Sequence, residues 1–375
     1  MNLENQVEVE RERRKSMRGK NFFLVVVVWV LFGIGNLDVF GFDKNCRTIN
    51  GNLLFDTVAV NVQGNLAVVA DGLDDRGRFA GLDFIFPETF HLIIGEVTED
   101  GSKVTIVKEY GTKNYFYPQF ITKSGFLVGY NYDVHNYNYT MAAMFNETEG
   151  PKEISGNHSY PYIIGAEDDG EKIYLLNVDV VNNQLVLQIV SSSFVIEKEI
   201  FLPKENDFYY EKGGLLIKDD LIYCVIQNYF YLEELNLQFL TVIEVDLMSH
   251  QVKDYYFLSD ESGSYDAVFG GLSKETSSLF GRINNKPFSY SLAERSFIFY
   301  KNCGNCSSVA KGMLRGYVVG EVEDNEFFIG NEKKTRLIKF SQFDDIAIKS
   351  ISLNRKLFIK SWENDGINYF YLIPK

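Results

Sequence analysis

The densest group of potential metal ligands in this 375-residue sequence is the stretch 70–83, ADGLDDRGRFAGLD. It sets Asp71, Asp74, Asp75 and Asp83 among Gly72, Gly77 and Gly81. Ca²⁺ takes six to eight oxygens without strict geometry, so carboxylates on a glycine-rich loop suit it. Asp71, Asp74 and Asp75 are therefore a weak candidate Ca²⁺ site, and Ca²⁺ is the one cofactor the residues suggest. Their spacing is not that of an EF-hand. Arg76 and Arg78 stand beside them and support a second arrangement, a solvated loop closed by its own salt bridges.

Thiol and glycan chemistry come next. The chain has four cysteines, Cys46, Cys224, Cys303 and Cys306. Cys303 and Cys306 are spaced C-x-x-C. A redox role would need a thioredoxin-like βαβ setting, and zinc would need two more ligands, whereas the four histidines are scattered. A local Cys303–Cys306 disulfide is the expectation, with a bridge from Cys46 to one of the pair as the alternative. Cys224 lies within the apolar run LIYCVIQN and reads as a buried hydrophobe. Asn138, Asn146, Asn157 and Asn305 each begin an N-glycosylation sequon. Three of them fall within 138–157, in a polar, loop-like segment.

No catalytic triad or carboxylate pair declares itself by spacing, and the catalytic residues stay unassigned. The acidic turns AEDDGEK (166–172) and VEDNE (322–326) supply Asp, Asn and Gly where tight turns need them. Two tyrosine-rich stretches, YNYDVHNYNY (130–139) and NYFYLEEL (228–235), offer ring area with polar tips, which suits proteins and sugars.

The net charge of −14 narrows the partners. Residues 1–35 carry six basic and four acidic side chains, so the remainder carries −16 (−14 − 2). Such a body repels phosphate backbones, and nucleic acid is not an expected partner. Phe22–Gly35 is an unbroken apolar run of 14 residues, preceded by Arg18 and Lys20 and ending in Gly-Ile-Gly. A spanning helix needs about 20 residues, so the run reads as a signal-peptide core, with Met17 as an alternative start. An uncleaved type II anchor is the second reading. Both place the body in the secretory lumen or outside the cell, with membrane contact only through residues 22–35. The domain division is a leader at 1–35 and one globular body at 36–375.

The body must position these groups with strands. Tyr and Phe number 23 and 31, and after residue 50 apolar runs of strand length alternate with Gly, Asn and Asp clusters. A unit recurs: a short apolar strand, a polar turn, a stronger apolar strand. The stronger strands begin near Leu66, Phe126, Ile173, Leu221, Leu279, Phe327 and Tyr369, at a mean spacing near 50. Strand pairs between these units, such as FLTVIEVDLMSHQVKDYYFL (239–258), raise each period to about four strands. Four-stranded sheets repeated radially make a propeller. The pattern resembles seven-bladed β-propellers in general and covers 37–375; six and eight blades stay open. It matches no particular family: the body's one Trp, Trp362, is followed by Glu, not the Asp of WD repeats. The last unit counts only two strands, so residues 37–57 are expected to complete it and latch the ring. The architecture implies a protein- or glycan-binding or scaffolding role on a propeller face. The alternative is a Ca²⁺-dependent hydrolase with carboxylates converging on the central channel.

Overall fold

The computed structural model describes residues 46–375 except 61–64, 73, 75, 86–88, 99–100, 112–113, 145–148, 157–161, 180–181, 183, 204–207, 233–234, 260–265, 303–307, 323–325, 344, 352–356 and 364–365. The apolar run 22–35, Met17, Asp75, Asn146, Asn157, Asn305, Cys303 and Cys306 lie outside the described residues. No helix among the described residues is long and apolar enough to cross a membrane.

The described strands form seven sheets, each a blade with its own meander. Blade 1 comprises Asn65–Val69, Phe79–Ile85, Thr89–Thr98 and Gly101–Tyr110. Blade 2 comprises Asn114–Ile121, Leu127–Asp133, Asn138–Met144 and Lys152–Glu153. Blade 3 comprises Tyr162–Asp168, Ile173–Asp179, Gln184–Val190 and Ile196–Phe201. Blade 4 comprises Phe208–Lys218, Leu221–Leu232, Leu235–Asp246 and Val252–Phe257. Blade 5 comprises Ala267–Ser273, Ser278–Ile283, Lys286–Ser291 and Ser296–Phe299. Blade 6 holds Ser308–Leu314, Tyr317–Val322, Glu326–Gly330 and Thr335–Lys339. Blade 7 holds Asp345–Ile351, Leu357–Glu363 and Gly366–Pro374. From blade 1 through to blade 7 successive first strands meet, so the first strands line the axis. We call the end at which the chain enters these strands the upper face.

The strands follow from composition. β-branched and aromatic residues fill them, and left-handed residues turn them. Asn284-Asn285 (φ 46° and 60°) and Arg315-Gly316 (φ 50° and 80°) make two-residue hairpin turns, the tightest connections in blades 5 and 6.

The core is distributed. A single sheet cannot bury both faces, and seven apolar clusters lie one at each junction between neighbouring blades. The junction of blades 7 and 1 packs Tyr369 and Tyr371 against Leu66, Phe79 and Ile93. There the buried Tyr371 hydroxyl donates to the Gly77 carbonyl at 3.1 Å.

The ring is closed by the N-terminal segment, as the repeat predicts. Phe55–Ala59 pairs antiparallel with Gly366–Pro374 and becomes the outer strand of blade 7. Thr48–Asn50 pairs parallel with Thr335–Lys339 and gives blade 6 a fifth strand. Blade 7 thus takes three strands from the C-terminal end and one from the N-terminal segment, where the sequence pattern counts two and two. The repeat register is correct in blades 2 to 5. In blade 1 Leu66 falls on the first strand, and in blades 6 and 7 Phe327 and Tyr369 fall on the third. Successive hairpins of a meander carry the same apolar pattern, so a count can slip by one strand without losing the period.

Candidate functional site

Three regions bear on function: an aromatic row on the upper face, the axial channel, and the aspartate loop beneath it.

The aromatic row runs across blades 1 and 2. Phe84 ends the second strand of blade 1 and Phe90 begins the third, with ring centroids 5.0 Å apart. Phe90 stacks on Tyr115 of blade 2 at 4.5 Å. Tyr115 meets Tyr132 at 5.2 Å, and Tyr132 meets Tyr139 at 4.5 Å. All five sit at the upper ends of their strands. Burial, with Tyr139, Tyr132 and Tyr117 adding to it, raises the Tyr115 phenol above its ordinary pKa. The outer end of the row is open: Tyr139 is 50% exposed and Tyr137, at the hairpin tip, 77%. The tip is ordered by Asp133, which accepts from the backbone of His135 at 2.9 Å and from the Asn136 side chain at 2.7 Å. Asn138, the described sequon asparagine, is exposed beside Tyr137.

The second tyrosine-rich stretch reaches the same face. Leu221–Leu232 and Leu235–Asp246, at 12 residues each, are the longest strands among those described, and they pair along their whole length up to Leu232 with Leu235 at the upper end of blade 4. Gln227 there donates to the Tyr229 hydroxyl at 2.9 Å.

The axial channel carries a feature that recurs in every blade. Each innermost strand skips one residue in its pairing, at Ala67, Gln119, Ile164, Glu211, Gly270, Lys311 and Lys349. These are β-bulges, and they aim the extra residue out of the ladder. Close packing of neighbouring inner strands depends on small residues at this level. A Cβ on Gly270 would stand 1.8 Å from the Ala310 carbonyl oxygen, and one on Gly165 3.1 Å from the Gly214 Cα.

In blades 3, 5 and 7 a side chain of the preceding blade accepts from the backbone N–H just before the bulge. Ile163 donates to the Tyr130 hydroxyl at 2.6 Å, and Phe269 donates to the Gln227 side-chain oxygen at 2.7 Å. Ile348 donates to the Glu321 carboxylate in the same way. Glu321 is also paired with Lys311 at 3.0 Å.

The sequence's aspartate loop connects the first two strands of blade 1 at the lower end of the channel. The three candidate ligands have separate surroundings. Asp74 is buried; Arg78 Nε stands 2.6 Å and Arg76 Nε 3.5 Å from its Oδ2, and the backbones of Arg76 and Arg78 donate to its Oδ1. The loop therefore carries the internal salt bridges that its arginines suggest. Asp71 is drawn away to blade 2: its N–H donates to the Gln119 carbonyl at 2.7 Å, and Ile121 donates back at 3.0 Å. Asp83 is buried in the second strand of blade 1. Among the described residues no group of three or more His, Cys, Asp or Glu comes together in a form that could hold a metal ion.

Cys224 is a buried free thiol in the second strand of blade 4, pushed up in pKa by burial. The Cys46 Sγ lies 3.4 Å from the Thr335 carbonyl oxygen, beside the parallel pairing that extends blade 6.

The acidic turn at 166–172 ties the lower ends of three blades together. Glu167, on blade 3, accepts from the Lys123 backbone of blade 2 at 3.0 Å and pairs with Lys274 of blade 5 at 2.6 Å. Asp168 accepts from both the backbone and the hydroxyl of Ser124. Sequence reasoning assigns this turn to turn chemistry alone, because its partners lie 44 and 107 positions away in the chain (167 − 123 and 274 − 167).

Seven blades, an axial channel lined by first strands and an N-terminal strand in the last blade define a seven-bladed β-propeller. No protein-family model matches the chain, and no curated protein sequence matches it. Solved structures share the fold at low identity. The β-propeller domain of the Trilobed protease from Pyrococcus furiosus, described as having an open velcro topology, aligns with a TM-score of 0.53 and 12% identity, over 83% of this chain and 97% of that one. Prolyl oligopeptidase B from Galerina marginata aligns at 0.53 and 11%, over 83% of this chain and 51% of that one. The extracellular domain of a one-component system from B. thetaiotaomicron aligns at 0.50 and 13%; this chain covers 40% of its length. At these identities the likeness is one of fold, and fold alone does not fix activity.

Proposed function

We propose that this protein is a binding module of the secretory pathway, secreted or tethered through residues 22–35, which takes a protein or glycan ligand on its upper face. The aromatic row Phe84–Phe90–Tyr115–Tyr132–Tyr139 carries this reading. Aromatic rings fixed by stacking offer large contact area at little entropic cost, and tyrosine adds a polar tip for hydroxyl or backbone partners. The propeller supports the rings on strands, so the surface is held ready before the ligand arrives. The exposed sequon Asn138 and the apolar run at 22–35 support a lumenal or extracellular setting.

The test is a glycan and peptide array probed with the purified body and with a Tyr132→Ala/Tyr139→Ala variant of unchanged melting temperature. Selective retention of one ligand class, lost in the variant, is the expected result. Retention that ignores the substitutions would overturn the assignment to this face. For the compartment, endoglycosidase treatment of protein expressed in a eukaryotic host should increase gel mobility, and Asn138→Gln should remove part of the shift. An unchanged mobility on digestion counts against it.

A further inference from the structure

The second tyrosine-rich stretch, 228–235, leads into a third strand that outruns its outer partner. The third strand of blade 4 begins at Leu235, yet its outer neighbour, Val252–Phe257, pairs only as far as Thr241. One further bond, from the Leu258 N–H to the Leu240 carbonyl at 2.8 Å, ends the pairing. Leu235–Phe239 therefore has no outer partner among the described residues. In blades 1, 3, 5 and 6 the outer strand follows the third strand to within one residue of its upper end, through Phe90, Leu185, Pro287 and Phe327. Blades 2 and 7 leave shorter stretches, Asn138–Thr140 and Gly366–Asn368.

The last bond fixes which way the open groups point. Along a strand the N–H and C=O of one residue point to the same side, and successive residues alternate. The Leu240 carbonyl points outward, so the polar groups of Gln238 and Asn236 do as well, while Leu235, Leu237 and Phe239 bond back to Leu221–Leu232. Two strands back this edge, since Gln238 pairs with Tyr229 and Tyr229 with Tyr209. Proteins blunt open edges with Lys, Pro or a bulge. Leu235–Phe239 reads LNLQF, and its pairing with Leu221–Leu232 is regular throughout. The neighbouring sequence sets the charge of an occupant. Segments 229–240 and 257–266 hold Glu233, Glu234, Asp260, Glu261 and Asp266, and no Lys or Arg.

We propose that the outer edge of Leu235–Leu240 binds an extended, basic peptide segment of a partner protein, which adds to blade 4 as a strand. Alternating N–H and C=O groups on a fixed edge accept only an extended backbone, and such main-chain bonds supply the affinity of strand addition. Basic side chains on the peptide complement the carboxylates of the two segments, whereas a second copy of this acidic chain would bring like charges against them. The site lies on blade 4 and does not rest on the ligand assigned to the tyrosine row of blades 1 and 2.

The probe is a capped peptide alternating valine and lysine, titrated against the full chain by calorimetry and followed by hydrogen exchange resolved to single residues. Saturable binding with slowed exchange at Gln238 and Asn236 is expected. Gln238→Pro should weaken it about tenfold, the scale of one lost backbone hydrogen bond. That N–H has no ladder partner, and proline is tolerated on an edge strand whose N–H faces solvent. If the variant folds poorly, the same probe N-methylated throughout keeps its charge, loses every backbone donor and should not bind. A valine–glutamate counterpart should bind about tenfold more weakly than the lysine probe, and equal binding overturns the charge assignment. Binding that slows exchange elsewhere, binding indifferent to N-methylation, or the absence of saturable binding overturns the site. A dimer of the free protein that Gln238→Pro dissociates would give the edge to a second copy and likewise overturn it. Binding kept in Gln238→Pro but lost in Tyr132→Ala/Tyr139→Ala would move the peptide to the tyrosine row; the converse upholds the blade 4 edge without that row.

Discussion

Lys274 Nζ of blade 5 stands 2.6 Å from Glu167 Oε2 of blade 3, so a single ion pair joins two blades that are not neighbours in the ring. Glu167 is 2% exposed, and its other oxygen accepts from the backbones of Lys123 and Asp168. Removing one partner of a buried pair leaves a charge without compensation, at a cost of about 3 kcal/mol. Lys274→Met should therefore lower the urea midpoint strongly. Adding Glu167→Gln should recover part of the loss, because the charge goes with its partner. A Lys274→Met protein as stable as the wild type would show that the pair does not hold the lower face together.

The Tyr130 hydroxyl is the acceptor for the Ile163 N–H, at 2.6 Å. Tyr130→Phe keeps the ring in its buried place and removes only that acceptor. A buried donor left unsatisfied costs about 1–3 kcal/mol. Urea denaturation should show a loss in that range, and hydrogen exchange at Ile163 should accelerate more than at Ile173, which lies on the next strand. An unchanged midpoint would mean that the bulge N–H finds another partner.

Phe55 is the anchor of the closure. It is 2% exposed and packs against Phe327 and Phe340, at centroid distances of 6.1 and 6.2 Å. Truncating a buried phenylalanine costs about 3–5 kcal/mol through lost burial and the cavity left behind. Phe55→Ala should unfold at markedly lower temperature, and deletion of residues 37–57 should abolish soluble folding. A stable, monomeric deletion protein would refute the latch.

How much of this was legible in the sequence depends on what each level of structure requires. Strand patterning, the repeat and the need for an N-terminal latch are local or periodic, and apolar spacing records them. The exact strand count of the last blade is not, because hairpins of one meander look alike: 335–353 reads as a single strand pair but spans the last strand of blade 6 and the first of blade 7. The tyrosine stretch 130–139 was visible as composition. Its partners Phe84 and Phe90 were not, since stacking across a blade junction leaves no spacing.

Asp71 gives a pH dependence whose sign is fixed by its surroundings. Desolvation by the surrounding strands raises its carboxyl above the ordinary value of 3.8, against the lowering effect of Lys349, Lys311 and Lys212. A raised carboxyl means that the folded state holds the proton more tightly than the unfolded chain does. Its contribution to stability is then greatest below pH 3.8 and declines as pH rises through the folded-state value. Asparagine keeps the shape and removes the ionisation. Asp71→Asn should accordingly melt at a higher temperature than the wild type at pH 7, and the two melting temperatures should converge as the pH approaches 3.8. The comparison is a set of thermal melts of both proteins from neutral pH downward. A variant that is less stable at pH 7 would mean that the lysines hold Asp71 as a structural counter-ion.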